Sequence, residues 1–405
     1  MHTENASGAF AGYGLSGEPG TEAFWAGVVR GPVSVPVSVR ADGGGDGWVT
    51  LFLWRRRGEA AGDGSSVSVG FESWSPPVPL RRWGDTDCWY AEVRMPARLR
   101  VTYQFLVDDA AYADPLNPVG AGGDRSIAAT PDAPAQPHWP LVGADDILPL
   151  PRTRIRWASE RLGGRRTVRV HPVGGGGPVV LLLDGDDWLY LHPAMDAFDA
   201  AFAAGEMPAV TLVFLPAKDR EAEFTCERAL WEAVRDELLP LVAECGVPAD
   251  LDRLVVAGQS LGGLSAVYAA LEFPELVSRV ACQSPSFWWS RDAVGSADPM
   301  GGAVGGAVAA RLRERGSADL SGTSDLSGTS APSAPSGPAG VPDLSGLRIA
   351  FDVGEHEGAM LPHCEVVEGL IEGAGAVVRV SRAAAGHDRA GWREGLLRDV
   401  AWVLR

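Results

Sequence analysis

The stretch from Leu254 to Phe273 constrains this chain more than any other. Leu254-Val255-Val256-Ala257 is a continuous apolar run, Gly258-Gln259-Ser260-Leu261-Gly262-Gly263 is a glycine-flanked turn, and Leu264 to Phe273 is rich in Ala and Leu. A buried strand, a sharp turn and a helix, in that order, are what a G-x-S-x-G nucleophile elbow requires. Glycines flank the serine because a Cβ there would collide with neighbouring backbone. The helix that follows aims N–H groups and the positive end of its dipole at the serine. Ser260 is therefore the candidate nucleophile.

The surrounding pattern agrees with that turn. Val179-Val180-Leu181-Leu182-Leu183, Val210 to Leu215 and Leu347 to Phe351 are further apolar strands, and Ala229 to Cys245 has helical periodicity. Strands alternating with helices predict a doubly wound, mainly parallel sheet of α/β-hydrolase type over residues 151–405. Before it, over 25–150, short alternating runs (Trp48 to Trp54, Ser66 to Val69, Tyr90 to Arg94, Val101 to Phe105) are punctuated by turn residues. They predict an all-β, immunoglobulin-like sandwich, with 115–150 as a linker. Residues 1–24 read as a flexible lead-in. Residues 294–346 read as a low-complexity insertion, because Asp319 to Ser324 repeats directly as Asp325 to Ser330 before a Ser/Ala/Pro/Gly tract.

A serine nucleophile needs a base, and in this fold the chain order is Ser, acid, His. Three histidines follow Ser260: His356, His363 and His387. His387 lies in a short loop after the strand Val377 to Val380, close to the C-terminus, where the fold delivers its histidine. The acid should follow the strand ending near Asp352, which leaves Asp352, Glu355 and Glu357, with Glu357 far enough along to reach back. Two N–H groups should form an oxyanion hole: that of Leu261, after the nucleophile, and that of Asp186, in the loop after Leu183.

Composition bounds the partners. The formal net charge is −17, which disfavours nucleic acid. No apolar run approaches the ~20 residues of a membrane helix, and the first residues lack the basic and apolar regions of a secretory signal. The five scattered cysteines form no C-x-x-C pair, as expected of free thiols in a reducing cytoplasm. No metal site is read from the sequence. Lys218 is the only lysine, so the positive charge is nearly all arginine.

Taken together, several stretches resemble the enterochelin (enterobactin) esterase family: Leu181 to Gly185 with Trp188, Val256 to Ala266, Gln283-Ser284-Pro285-Ser286-Phe287-Trp288-Trp289, Gly386-His387-Asp388 with Trp392-Arg393, Arg220 and Glu223, and, near the N-terminus, Trp83 to Tyr90 and Asp114 to Pro118. The resemblance covers about residues 25–400 except the insertion. It implies a serine esterase acting on the ester bonds of a catecholate trilactone siderophore in the cytoplasm. No cofactor is implied, since iron enters only with the substrate. It matches Ser260 and His387 to the family's serine and histidine and places the acid on Glu357. A ferric tris-catecholate is aromatic and strongly anionic, which makes Arg220, Arg81 and Arg82 candidate charge partners and Trp188 and Trp288 candidate stacking surfaces. Arg55-Arg56-Arg57, Arg152, Arg154 and Arg156 are further candidates. The alternatives are a general esterase or acyltransferase of the esterase-D class, and a binding protein that keeps the fold without catalysis. Oligomeric state is not legible.

Overall fold

The computed structural model describes residues 10–28, 31–37, 47–56, 66–72, 76–143, 146–321 and 343–405. The chain divides into two compact units: Met1–Leu148 with Tyr190–His192 and Ala384–Gly391, and Pro149–Leu189 with Pro193–Ala383 and Trp392–Arg405.

The first unit is β-rich. Its strands are β1 (Val33–Val37), β2 (Gly47–Arg55), β3 (Val67–Phe71), β4 (Val78–Pro79), β5 (Arg81–Arg82), β6 (Cys88–Pro96), β7 (Arg100–Val107), β8 (Ala110–Tyr112) and β9 (Ser126–Ala129). They pair antiparallel as β1-β2-β6-β5 and β4-β3-β7-β8, with β9 on β7. The alternation seen in the sequence has its cause here. Phe52 from β2, Ala91, Val93 and Met95 from β6, Val67 and Val69 from β3, and Val101, Tyr103 and Phe105 from β7 share one core, so each sheet buries one face.

Two segments are more ordered than their composition predicts. Within the lead-in, Phe10, Leu15 and Phe24 pack with Trp25, Leu51, Leu53 and Cys88. The short helix α1 (Glu22–Gly27) there is N-capped by Thr21, whose Oγ1 accepts from the Phe24 N–H. The aromatic rings supply the apolar area that the surrounding Gly and Ser lack. The stretch read as a linker contains β9, with Ile127 and Ala128 buried.

The second unit is a mixed sheet with helices. Its strands are β10 (Thr153–Ala158), β11 (Arg165–Val173), β12 (Gly177–Leu183), β13 (Val210–Leu215), β14 (Ala249–Gln259), β15 (Arg279–Gln283), β16 (Arg348–Gly354) and β17 (Val377–Ala383). The order is β10-β11-β13-β12-β14-β15-β16-β17. Pairing is antiparallel from β10 to β13 and parallel from β13 to β17. The central strands are buried on both faces, and Val179 to Leu183 are 0% exposed, which is why they read as unbroken apolar runs. The helices are α2 (Gly185–Tyr190), α3 (Ala194–Ala203), α4 (Arg220–Phe224), α5 (Arg228–Ala233), α6 (Leu239–Glu244), α7 (Leu261–Glu272), α8 (Gly306–Ser321), α9 (Leu361–Gly373) and α10 (Arg389–Val403).

Helix α8 falls inside the stretch read as a low-complexity insertion. Its Val308, Ala309 and Leu312 join the main core, while Arg311 and Arg315 bind Glu272 at the end of α7. Residues 322–342, with most of the direct repeat, lie outside the described residues. All five cysteines are free thiols.

Candidate active site

Ser260 sits between β14 and α7 with φ 55° and ψ −121°, a left-handed backbone that costs a non-glycine residue about 1–3 kcal/mol. The neighbouring strand ends hold it there. Its N–H donates to the Gln283 carbonyl at 3.1 Å, and its own carbonyl accepts from Leu264 and Ser286 at 3.0 Å each. The crowding that demands glycine is greatest at Gly258, where a Cβ would lie 2.3 Å from the Gly262 carbonyl oxygen, and at Gly263, where it would lie 2.9 Å from Cys282 Sγ. At Gly262 the nearest atom would be an ordinary 3.4 Å away. Gly258 and Gly263, more than Gly262, therefore answer the steric demand read from the motif.

Two more strands end in the same way. Asp184 after β12 and Ser284 after β15 have φ 53° and 45°. Strained residues at three adjacent parallel strand ends mark one edge of the sheet as the place where function is expected. The sequence carried a weak signal for this edge in its strand-terminal Asp and Ser.

A buried polar chain runs beneath Ser260. Trp188 Nε1 donates to Gln259 Oε1 (3.0 Å), Gln259 Nε2 to Gln283 Oε1 (2.7 Å), and Gln283 Nε2 to Asp399 Oδ2 (2.9 Å). Trp188 is 0% exposed, so it is a strut of this chain and has no ring face free for a catechol. Ser286, given no role of its own in the sequence beyond the Gln283–Trp289 stretch, places its hydroxyl 3.1 Å from Ser260 Oγ.

The three acid candidates have different surroundings. Glu355 is exposed. Asp352 is buried and accepts from Arg398 at 2.7 Å, so its charge is already balanced. Glu357 is buried, and its Oε1 accepts from the Gly354 N–H at 2.7 Å and from the Ser284 hydroxyl. Ser284 Oγ in turn accepts from Trp392 Nε1 at 2.7 Å. Glu357 is thus clamped on one oxygen by the strained end of β15. His363 is engaged elsewhere, with Nδ1 accepting from the Gly305 N–H and Nε2 on the Met300 carbonyl.

His387 is half-buried in the segment between β17 and α10 that belongs to the β-rich unit. Leu261 opens α7, and Asp186 lies in the first turn of α2, where N–H groups have no intrahelical acceptor. Burial and the neighbouring Asp187 raise the Asp186 carboxyl.

The arginines are mostly committed. Arg220 holds Asp184 with two bonds of 2.8 and 2.9 Å and reaches the Gln259 carbonyl at 3.2 Å. It therefore braces two strand ends beside Ser260, its charge opposed by Asp184. Arg82 donates to the carbonyls of Thr86 and Asp85, and Arg81 lies over the Tyr90 ring. Arg55 pairs with Glu22 and Asp87, and Arg56 with Asp108. Arg57 lies outside the described residues, Arg152, Arg154 and Arg156 are exposed, and Trp288 is half-buried. Among the described residues no group of three or more His, Cys, Asp or Glu side chains could hold a metal ion, and no helix is long and apolar enough to cross a membrane.

A strained serine between a buried parallel strand and a helix N-terminus, on a mixed sheet, is the nucleophile-elbow arrangement of the serine hydrolases. The chain belongs to the family described as "Putative esterase", whose model matches residues 159–403. Within it, the resemblance to the enterobactin esterases holds over the whole length. The iron(III) enterobactin esterase of Dickeya dadantii is 29% identical, covering 100% of this chain and 98% of that protein. The enzyme of the same name from Escherichia coli K12 is 29% identical over 80% of this chain and 82% of its own. Among solved structures, ferric enterobactin esterase from Salmonella typhimurium superposes with a TM-score of 0.75 at 26% identity, over 95% of this chain and 98% of that one. An enterobactin esterase from Shigella flexneri, crystallised in the presence of enterobactin, gives 0.70 at 25% identity with the same coverage.

Proposed function

We propose that this chain hydrolyses the ester bonds of a catecholate trilactone siderophore such as enterobactin, taken in its ferric form, and so releases iron inside the cytoplasm. The observation that carries the reading is the combination of the Ser260 elbow with full-length similarity to proteins named iron(III) enterobactin esterase. In the proposed reaction His387 takes the proton of Ser260 Oγ as the oxygen attacks the ester carbonyl. Glu357 orients the imidazole and stabilises its charged form. The N–H groups of Leu261 and Asp186 receive the developing oxyanion. The leaving hydroxyl takes its proton from His387, and water then frees the acyl group by the same steps. Iron is cargo and takes no part in these steps. The first unit, in this reading, is an immunoglobulin-like sandwich, supported by its two antiparallel sheets over one core.

The test is chromatography of ferric and iron-free enterobactin incubated with wild type and with Ser260→Ala. Wild type should give linear products, and the variant should lose at least ~10³-fold in rate. Cleavage of a simple aryl ester with the trilactone left intact would retain the esterase and overturn the siderophore reading.

A further inference from the structure

The segment carrying His387 leaves β17 at Ala383 and is built into the β-rich N-terminal unit. Ala385 forms a parallel bridge with Arg100 at the start of β7. Next to the histidine, Asp388 is only 1% exposed. Its Oδ1 accepts from the N–H groups of Ala390 (2.7 Å) and Gly391 (3.3 Å), which caps the N-terminus of α10. That cap would be complete without β7. Yet Oδ1 also accepts from Thr102 Oγ1 (3.2 Å) and Oδ2 from the Thr102 N–H (3.3 Å), both in β7. Gln136 Nε2 adds a bond of 2.7 Å to the Ala390 carbonyl. A buried carboxylate held on both oxygens cannot turn, and the adjacent Cα is only ~3.8 Å along the chain. Burial pushes the Asp388 carboxyl up to about 6, so at neutral pH it is ionised and its bonds are charge-assisted.

We propose that Thr102 and Asp388 are positioning residues for His387: strand β7 fixes, through the Asp388 carboxylate, where the base stands. The inference rests on the reading of His387 as the base.

The test uses the full-length protein and two readouts that need no siderophore. One is the rate at which a fluorophosphonate labels Ser260. The other is kcat and KM on p-nitrophenyl butyrate, with thermal melting as the fold control. Thr102→Val should lower labelling and kcat ~10-fold while KM stays within ~2-fold, and Thr102→Ser should recover most of the loss. Asp388→Asn should lose at least as much as Thr102→Val. Wild-type labelling by Thr102→Val and Asp388→Asn with unchanged melting overturns the proposal. Should Thr102→Val melt below the assay temperature, Gln136→Ala decides the matter: a fall of ~3-fold in kcat supports it, and an unchanged kcat overturns it. His387→Ala separates the two readings. Wild-type labelling by that variant overturns the base assignment itself. A variant that no longer labels, beside an unaffected Thr102→Val, overturns the positioning role alone.

Discussion

At Gly258 the demand of the elbow is steric. A methyl group there would overlap the Gly262 carbonyl, and neither backbone segment can yield without moving the serine. Gly258→Ala should cost at least ~2 kcal/mol in urea unfolding and lower esterase activity with it. The acid is decided one residue at a time as well. On the proposed assignment, Glu357→Gln keeps the size of the side chain but removes the charge that would orient the base, so kcat should fall ~10³-fold with little change in KM. Asp352→Asn removes one of the two carboxylates that face Arg398, leaving Asp399, and should lower the melting temperature more than kcat. Equal losses of kcat in both variants would remove Glu357 from the assignment. Spacing left three carboxylates open at this point. Only their surroundings separate them: Arg398 for Asp352, solvent for Glu355, and the Ser284 hydroxyl with the Gly354 N–H for Glu357.

Among the elements, strands were legible because a strand buried on both faces reads as an apolar run, and β12, β13, β14 and β16 each contain a largely apolar stretch. Elements whose composition conceals them were not. Helix α8 opens in a Gly/Ala stretch and closes in the repeat, yet Val308 and Leu312, four residues apart, fall on one face and reach the core. Leu312→Ala should therefore cost ~2–4 kcal/mol in chemical unfolding. A loss below ~0.5 kcal/mol would show that the helix lies outside the cooperative core. In the same way β9 and the segment around Phe10 owe their order to a few apolar side chains among many small ones. Trp188 was misjudged for a related reason: an aromatic residue after a strand can face substrate or core, and the buried Gln259 amide settles it as core.

Over the whole molecule the buried acids give a pH dependence of definite sign. Asp114, enclosed with Tyr103, is pushed by burial from 3.8 to about 6. As pH rises across that window the unfolded chain releases the Asp114 proton while the native chain still holds it. The native state is thus favoured below the window and loses up to ~3 kcal/mol of that advantage across it. Asn cannot ionise, so Asp114→Asn should gain stability relative to wild type between pH 4 and 6.5. A constant difference over that range would show that Asp114 titrates normally.

From its sequence alone this protein was bound to be a sheet-based hydrolase with Ser260 at an elbow, because apolar periodicity and glycine placement are local consequences of burial and backbone geometry. The family followed from the combination of several such stretches. What only tertiary structure decided was long-range: that Arg220 faces Asp184, that Glu357 meets the Ser284 hydroxyl while Asp352 meets Arg398, and that Asp388 is gripped by Thr102, 286 residues away. Those pairings depend on which strand ends the fold brings side by side, and no pattern along the chain records that.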